Sequence, residues 1–356
     1  MKILIVKLGS IGDIVHTLPA LAALRRRFPE ASIDWLVETR CRDILLDNPC
    51  LNDLLEVDTL TWRRRLHLGT TWAEIRHSLR TLRSRRYDVV FDFQGLLKSG
   101  LFTWLAHSSR RVGFGRPHLR ESLSGIFTDE GLSPPEDCAH VIDRNLHLLK
   151  AVGIESAERS FPIALPEEMD LRAARALRSL SLEDYIAMSP GGAWATKRWS
   201  PERYGHLAER LAGEWRVASL VLWGPGEEIL ARRVVQASGG AARLAPATGL
   251  REMLPYLKRA KLFVGGDTGP LHIACALGVP VVGLFGPTSP TSHGPFGEGD
   301  QAVWKAVPCS PCHKRRCPGF DMVCLRSMAV TEVVGAVGHR LNGSPLFRSS
   351  LEGEGN

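Results

Sequence analysis

The stretch Lys261 to Gly297, KLFVGGDTGPLHIACALGVPVVGLFGPTSPTSHGPFG, constrains the fold of this chain more than any other. Leu262-Phe263-Val264 is an apolar run of the kind that forms a buried parallel strand. Gly265 to Pro270 turn the chain, Leu271 to Gly278 reads as helix, and Val279 to Phe285 as the next strand. Strand, glycine-rich turn, helix and strand make one βαβ unit. Glycines let a backbone approach a ligand closely, and the N–H groups that open a helix attract an anion. Asp267, Thr268 and His272 sit at that mouth, where a diphosphate fits. A plain βα turn, with Asp267 or Thr268 as the helix N-cap, meets the same pattern.

The same alternation runs through both halves. Lys2 to Val6 reads as a strand, Gly9 to Asp13 as a turn, Ile14 to Arg27 as a helix and Ile33 to Val37 as a second strand. This is the opening of a Rossmann-type half, but the third glycine of G-x-G-x-x-G is missing. Asp13 and His16 lie where the helix begins, at the carboxyl ends of the strands. A carboxylate there can act as a general base or complement the helix dipole. Further strands are expected at Leu54 to Val57, Tyr87 to Phe93 and Arg111 to Phe114, with a loop at Asp129 to Cys138 and a helix at His140 to Val152.

Pro162 and Pro166 bracket a linker, and the alternation then restarts. A helix at Leu171 to Leu180 is followed by a strand at Tyr185 to Ser189 and a loop at Pro190 to Trp199. Next come a helix opened by Ser200 and Pro201, a strand at Ala218 to Trp223 and a helix at Leu250 to Arg259. The expected architecture is α/β, two Rossmann-like doubly wound domains facing across a cleft. The domains are residues 1–165 and 166–328. A C-terminal helix at 329–342 is expected to pack back on the N-terminal domain, and 343–356 to form a flexible tail. In a parallel second sheet, the loops at Gly191–Trp199, Gly224–Glu228, Gly265–Pro270 and Gly286–Pro290 share one edge. Their N–H groups, hydroxyls, lysine and carboxylates suit a nucleotide diphosphate.

A hydrophobic content of 44% and a charged content of 23% are those of an ordinary globular protein. The net charge of +7 is unevenly spread: between Leu60 and Arg86 stand eight arginines and one acid, Glu74. Such a patch favours an anionic partner, although a solvated helix face has the same composition. No apolar run reaches the roughly 18 residues that span a bilayer. The N-terminus reads directly as a strand, so a cytoplasmic protein is expected.

Cys309, Cys312, Cys317 and Cys324 fall within 16 residues. Four clustered cysteines raise a structural zinc or iron–sulfur site. Their spacing is not that of a C-x2-C…C-x2-C knuckle, and local disulfides or plain thiols fit it as well.

Five stretches together resemble the lipopolysaccharide heptosyltransferases of glycosyltransferase family 9, the type I enzymes most nearly. They are KLGSIGDIVHTLPAL from Lys7, FDFQGLLKSG from Phe91, SPGGAWATKRW from Ser189, GPGEE from Gly224 and GGDTGPLHIACALGVPVVGLFGPTSP from Gly265. The resemblance implies a GT-B fold with an acceptor-binding first half, a nucleotide-sugar-binding second half, and inversion at the anomeric carbon. It makes Asp13 the catalytic base and places Lys197 on the leaving diphosphate. It assigns Gly191, Thr196, Gly226, Glu227, Asp267, Thr268, Gly269 and His272 to the ADP-heptose donor, with Glu228 competing with Glu227 for the ribose. It assigns Gly12, His16, Arg63, Arg64, Arg65, Gln94, Lys98 and Arg120 to an anionic lipid-linked oligosaccharide of the Kdo-lipid A type. It further implies a monomer peripheral to the inner face of the cytoplasmic membrane, with no cofactor and no nucleic acid. Other readings are a nucleotide-sugar epimerase on the same fold, a non-catalytic sugar-nucleotide binder, and a nucleic-acid binder with a four-cysteine metal module.

Overall fold

A computed structural model of the chain describes residues 1–155, 158–319 and 321–342. It divides into two units, Met1–Ala164 and Leu165 onward, at the proline-bracketed linker. The 343–356 tail lies outside the described residues.

In the first unit six strands form one parallel sheet: β1 (Lys2–Val6), β2 (Ser32–Glu38), β3 (Asp53–Val57), β4 (Tyr87–Asp92), β5 (Ser108–Phe114) and β6 (Glu130–Leu132). Their order is β3-β2-β1-β4-β5-β6. The second unit repeats it with β7 (Tyr185–Ser189), β8 (Ala218–Val221), β9 (Ala242–Leu244), β10 (Leu262–Gly266), β11 (Val281–Phe285) and β12 (Gln301–Trp304), in the order β12-β11-β10-β7-β8-β9. Both are the doubly wound order in which the chain reverses direction across the sheet after its third strand. Helices cover both faces of such a sheet, which is why its central strands read as unbroken apolar runs. Ile3 to Val6 of β1 and Tyr185 to Met188 of β7 are fully buried.

The reversal fixes where a ligand can enter. In the first unit it lies between β1 and β4, with Val6 opposite Asp92 at the carboxyl edge. In the second it lies between β7 and β10, with Ser189 opposite Gly265. The connections diverge at these points and leave a crevice beyond the strand ends.

Several expected elements differ. The helix expected over Ile14–Arg27 is two, Ile11–Val15 and Leu18–Arg27, because Thr17 Oγ1 takes the Asp13 carbonyl at 2.8 Å and Pro19 follows. Part of the loop expected at Asp129–Cys138 is β6, which pairs with β5 at the sheet edge. The C-terminal helix, Val330–Asn342, packs on helix Pro201–Trp215 and on β11 and β12. Its Val333, Val334, Val337 and Leu341 belong to the core of the second unit, so it is an integral layer of that unit.

Candidate active site

At the carboxyl edge of the second sheet, three loops meet at one carboxylate. Asp267 follows β10 and is 4% exposed. Its Oδ2 accepts from Lys197 Nζ at 2.5 Å and from Thr288 Oγ1 at 2.6 Å, and its Oδ1 lies 2.9 Å from His272 Nε2. Lys197 comes from the β7 loop, Thr288 from the β11 loop, and His272 from the first turn of helix Gly269–Ala276. Burial alone would raise the Asp267 pKa. The hydrogen bond and charge of His272, then those of Lys197, outweigh burial and hold the carboxyl well below the usual carboxylate range. An ionised carboxylate with three donors is a poor base. Its role is to fix a lysine at the mouth of a helix.

The glycines around this cluster are there for close approach. A Cβ on Gly266 would lie 2.5 Å from the Lys197 carbonyl, and one on Gly192, whose φ is +146°, 2.7 Å from Thr268 Cγ2. Glu227 bridges two of the loops: its carboxylate accepts from Gly192 N at 2.6 Å and from Gly224 N at 3.0 Å. Glu228 turns away to Arg232, at 2.6 Å, so Glu227 is the acid at the loop mouth. Gly226, at φ +81°, makes the turn that leads into Glu227. Thr196 Oγ1 donates to the Lys314 carbonyl at 2.9 Å and so ties the β7 loop to the cysteine segment. Trp194 went unremarked in the sequence. Lys197 Nζ stands 4.8 Å and the Arg315 guanidinium 5.3 Å from its ring centre. Thr288 was also missed, and its signal was the Gly-Pro-Thr-Ser-Pro turn after β11.

The first unit places Asp13 in helix Ile11–Val15. Asp13 Oδ2 accepts from Ser10 N at 2.8 Å and Ser10 Oγ at 3.1 Å, and Arg120 lies 4.0 Å away. The Asp13 side chain keeps 17% exposure, and Arg120 is largely exposed. Behind them Lys7 is buried and donates from Nζ to the Phe93 carbonyl at 2.6 Å. Burial lowers the Lys7 pKa, Asp13 and Asp92 oppose that, and Arg120 adds to it. Asp92 is raised by burial, against hydrogen bonds from Gln94 N, Gly95 N and Ser99 Oγ.

The remaining first-unit residues divide in two. Gln94 is buried, and its Oε1 accepts from Leu8 N at 3.1 Å and Gly9 N at 3.4 Å, so it holds the loop that carries Asp13. His16 is 1% exposed and packs edge-on against His140. Gly12 is buried in the same turn. Lys98 Nζ is bound to Glu38 Oε1 at 2.7 Å and Thr59 Oγ1 at 3.0 Å. Arg63, Arg64 and Arg65 are exposed at the end of helix Thr59–Arg64.

Cys309, Cys312, Cys317 and Cys324 are free thiols lining one cavity of about 260 Å³ with Thr196 and Lys314. Among the described residues, no group of three or more His, Cys, Asp or Glu is placed to hold a metal ion. No described helix is long and apolar enough to cross a membrane.

This geometry can be set beside known proteins. The family model described as glycosyltransferase family 9 (heptosyltransferase) matches residues 75–321. Lipopolysaccharide heptosyltransferase 1 of Pseudomonas aeruginosa is 32% identical over 323 residues, covering 89% of this chain and 87% of that protein. The Escherichia coli K12 protein of the same name is 28% identical over 95% of this chain and 100% of its own length. Among solved structures, Escherichia coli heptosyltransferase WaaC with ADP superposes with a TM-score of 0.77 at 26% identity, over 96% of this chain and 100% of that one. A family 9 glycosyltransferase from Veillonella parvula, at 21% identity and a TM-score of 0.82, shares the fold. The fold class is GT-B, and the chain belongs to glycosyltransferase family 9 and is a glycosyltransferase.

Proposed function

We propose that the chain transfers a heptose from ADP-heptose to the inner core of a lipopolysaccharide precursor, with inversion at the anomeric carbon. The observation that carries the reading is the Lys197 ammonium, fixed 2.5 Å from Asp267 at the mouth of helix Gly269–Ala276, in a chain of family 9. Escherichia coli WaaC has been solved with ADP and with ADP-2-deoxy-2-fluoro heptose, which supports the same donor class here.

In this reading the second unit holds the donor. Glu227 faces the nucleoside side, and Gly191, Thr196, Gly226, Thr268, Gly269 and His272 line the diphosphate approach. The first unit holds the acceptor. Asp13 takes the proton of the acceptor hydroxyl as its oxygen attacks the anomeric carbon, and the bond from that carbon to the ADP oxygen breaks. Negative charge grows on the departing diphosphate. Lys197 and the helix N-terminus are fixed positive ends that stabilise it with no metal ion. Arg63, Arg64, Arg65 and Arg120 meet the phosphates and acidic sugars of the acceptor, which keeps the enzyme working at an anionic membrane surface.

The test is to incubate the protein with ADP-heptose and a panel of truncated lipopolysaccharide acceptors, and to follow ADP release. Acceptor-dependent release is expected. Release that ignores the acceptor, or none with any member of the panel, overturns the reading.

A further inference from the structure

Helix Leu97–Leu105 carries apolar side chains on both faces: Phe102 and Leu105 pack on the core of the first unit, and others face outward. Its buried face carries Ser99, Gly100, Phe102 and Thr103, while Leu97, Leu101 and Trp104 stand 41%, 44% and 52% exposed. Their spacing of four and three residues puts these three on one outward face. The turn Ser122–Phe127 adds to this outward face, with Ser124 buried and Leu123 and Ile126 each 67% exposed. The two segments are packed together. A Cβ on Gly100 would meet Phe127 Cδ2 at 2.6 Å, and the Leu97 N–H donates to Glu121 Oε2 at 2.6 Å. The result is an exposed apolar face built from two adjoining elements. Single exposed leucines need no explanation, but a contiguous group of this kind marks an interaction site.

Two neighbours say what covers it. Lys98, in the first turn of this helix, is bonded through Glu38 and Thr59 to the start of helix Thr59–Arg64, so the arginine-rich stretch adjoins the face. That stretch carries eight arginines against one glutamate and exposes Leu66, Leu68 and Trp72 among them. On the other side, Arg120, 4.0 Å from Asp13, stands two residues before the Ser122–Phe127 turn. Apolar and tryptophan side chains beside a dense cationic stretch match an anionic bilayer interface, with rings and leucines at the acyl boundary and guanidinium groups among the headgroups. A second copy of this chain fits less well. A two-fold contact sets a patch against itself and would bring two arginine-rich stretches together.

We propose that Leu97, Leu101, Trp104, Leu123 and Ile126 form a face that inserts into the interfacial layer of an anionic bilayer and sets Asp13 and Arg120 near the lipid surface. The inference deepens the proposed lipid-linked acceptor, on which its purpose rests, and its test is separate from that reading. The full chain is sedimented with vesicles of phosphatidylcholine, with and without phosphatidylglycerol, in the absence of substrate and at physiological ionic strength. A variant carrying Leu101→Gln, Trp104→Gln, Leu123→Ser and Ile126→Ser changes only exposed side chains and is checked for an unchanged melting temperature. The wild type is expected to bind the phosphatidylglycerol vesicles, and the variant to lose about tenfold or more of that binding. On a deacylated, water-soluble acceptor the variant's turnover should stay at the wild-type level. Equal vesicle binding by variant and wild type overturns the proposal, as does a wild type that ignores both vesicles. A wild-type dimer that the variant converts to monomer in analytical ultracentrifugation also overturns it and makes the face an interface between copies. Failure of the wild type on every acceptor would count against the transfer reading and leave the vesicle result standing.

Discussion

Lys197 Nζ stands 2.5 Å from Asp267 Oδ2, and that one oxygen also takes the Thr288 hydroxyl at 2.6 Å. The lysine is thus pre-aimed and has little freedom left to lose when an anion arrives. Lys197→Met should lower transfer by about 10²–10³-fold and weaken ADP binding, both measurable by ADP release and calorimetry. Asp267→Asn strips the buried carboxylate from three partners and should cost roughly 3 kcal/mol of stability, read by urea unfolding. If Lys197→Met left ADP affinity and turnover unchanged, the lysine would have no part in the reaction.

The same carboxylate sets an acid limit. Its pKa is held low in the folded chain, by His272 and Lys197 against burial, so as pH falls the unfolded chain takes up the proton first. The stability it contributes is complete above the ordinary aspartate value of about 4 and is lost as pH drops from there. Urea midpoints followed from neutral pH into the acid range should fall less steeply in Asp267→Asn than in the wild type. Parallel curves would remove Asp267 from the acid response.

Gly191 separates packing from chain flexibility. A Cβ there would fall 2.1 Å from Glu227 Oε2, and that carboxylate cannot swing away without releasing Gly192 N and Gly224 N. Gly191→Ala should cost about 1–3 kcal/mol and raise the donor KM. Gly213→Ala is the contrast: it lies in helix Pro201–Trp215 with nothing within 4 Å of a Cβ, and should stabilise by about 0.5–1 kcal/mol. A harmless Gly191→Ala would mean that the loop and Glu227 move freely.

The doubly wound architecture was legible because buried parallel strands are apolar throughout: Lys2–Val6 and Tyr185–Ser189 match the structure residue for residue. The edge strands Glu130–Leu132 and Ala242–Leu244 were not, since three residues with Glu, Gly or Arg carry little strand signal. Helix Leu97–Leu105 escaped because apolar side chains lie on both of its faces, and helical hydrophobic periodicity needs a polar face to show. At the candidate site the glycine turns announced Asp267 and Lys197. The Thr288 contact comes from a loop 21 residues away in the chain, and the burial of His16 follows from tertiary packing. The Gly-Pro-Thr-Ser-Pro turn marks Thr288 as a loop residue, but no local pattern shows which side chain it meets or that His16 is buried.

Arg63, Arg64 and Arg65 are exposed on the last turn of their helix and its cap. Exposed charges act weakly one by one and are screened by salt. Replacing all three with alanine should raise the acceptor KM by about tenfold at low ionic strength, with a smaller effect in high salt and no change in the donor KM. A donor-side effect would place the three arginines elsewhere in the reaction.

Asp13 allows the sharpest separation of chemistry from binding. Its Oδ2 is oriented by Ser10 N and Ser10 Oγ, and Arg120 stands 4.0 Å off. Asparagine keeps an oxygen for the Ser10 N–H and so preserves the turn, but it cannot take up a proton at neutral pH. Asp13→Asn should therefore reduce transfer by about 10²–10⁴-fold while ADP binding, which the proposal assigns to the other unit, stays within a few fold and the melting temperature barely moves. Calorimetry with ADP beside the turnover assay decides the matter. Matched losses in ADP affinity and turnover would mean that Asp13 supports the fold or the donor, and the base would have to be sought in another carboxylate.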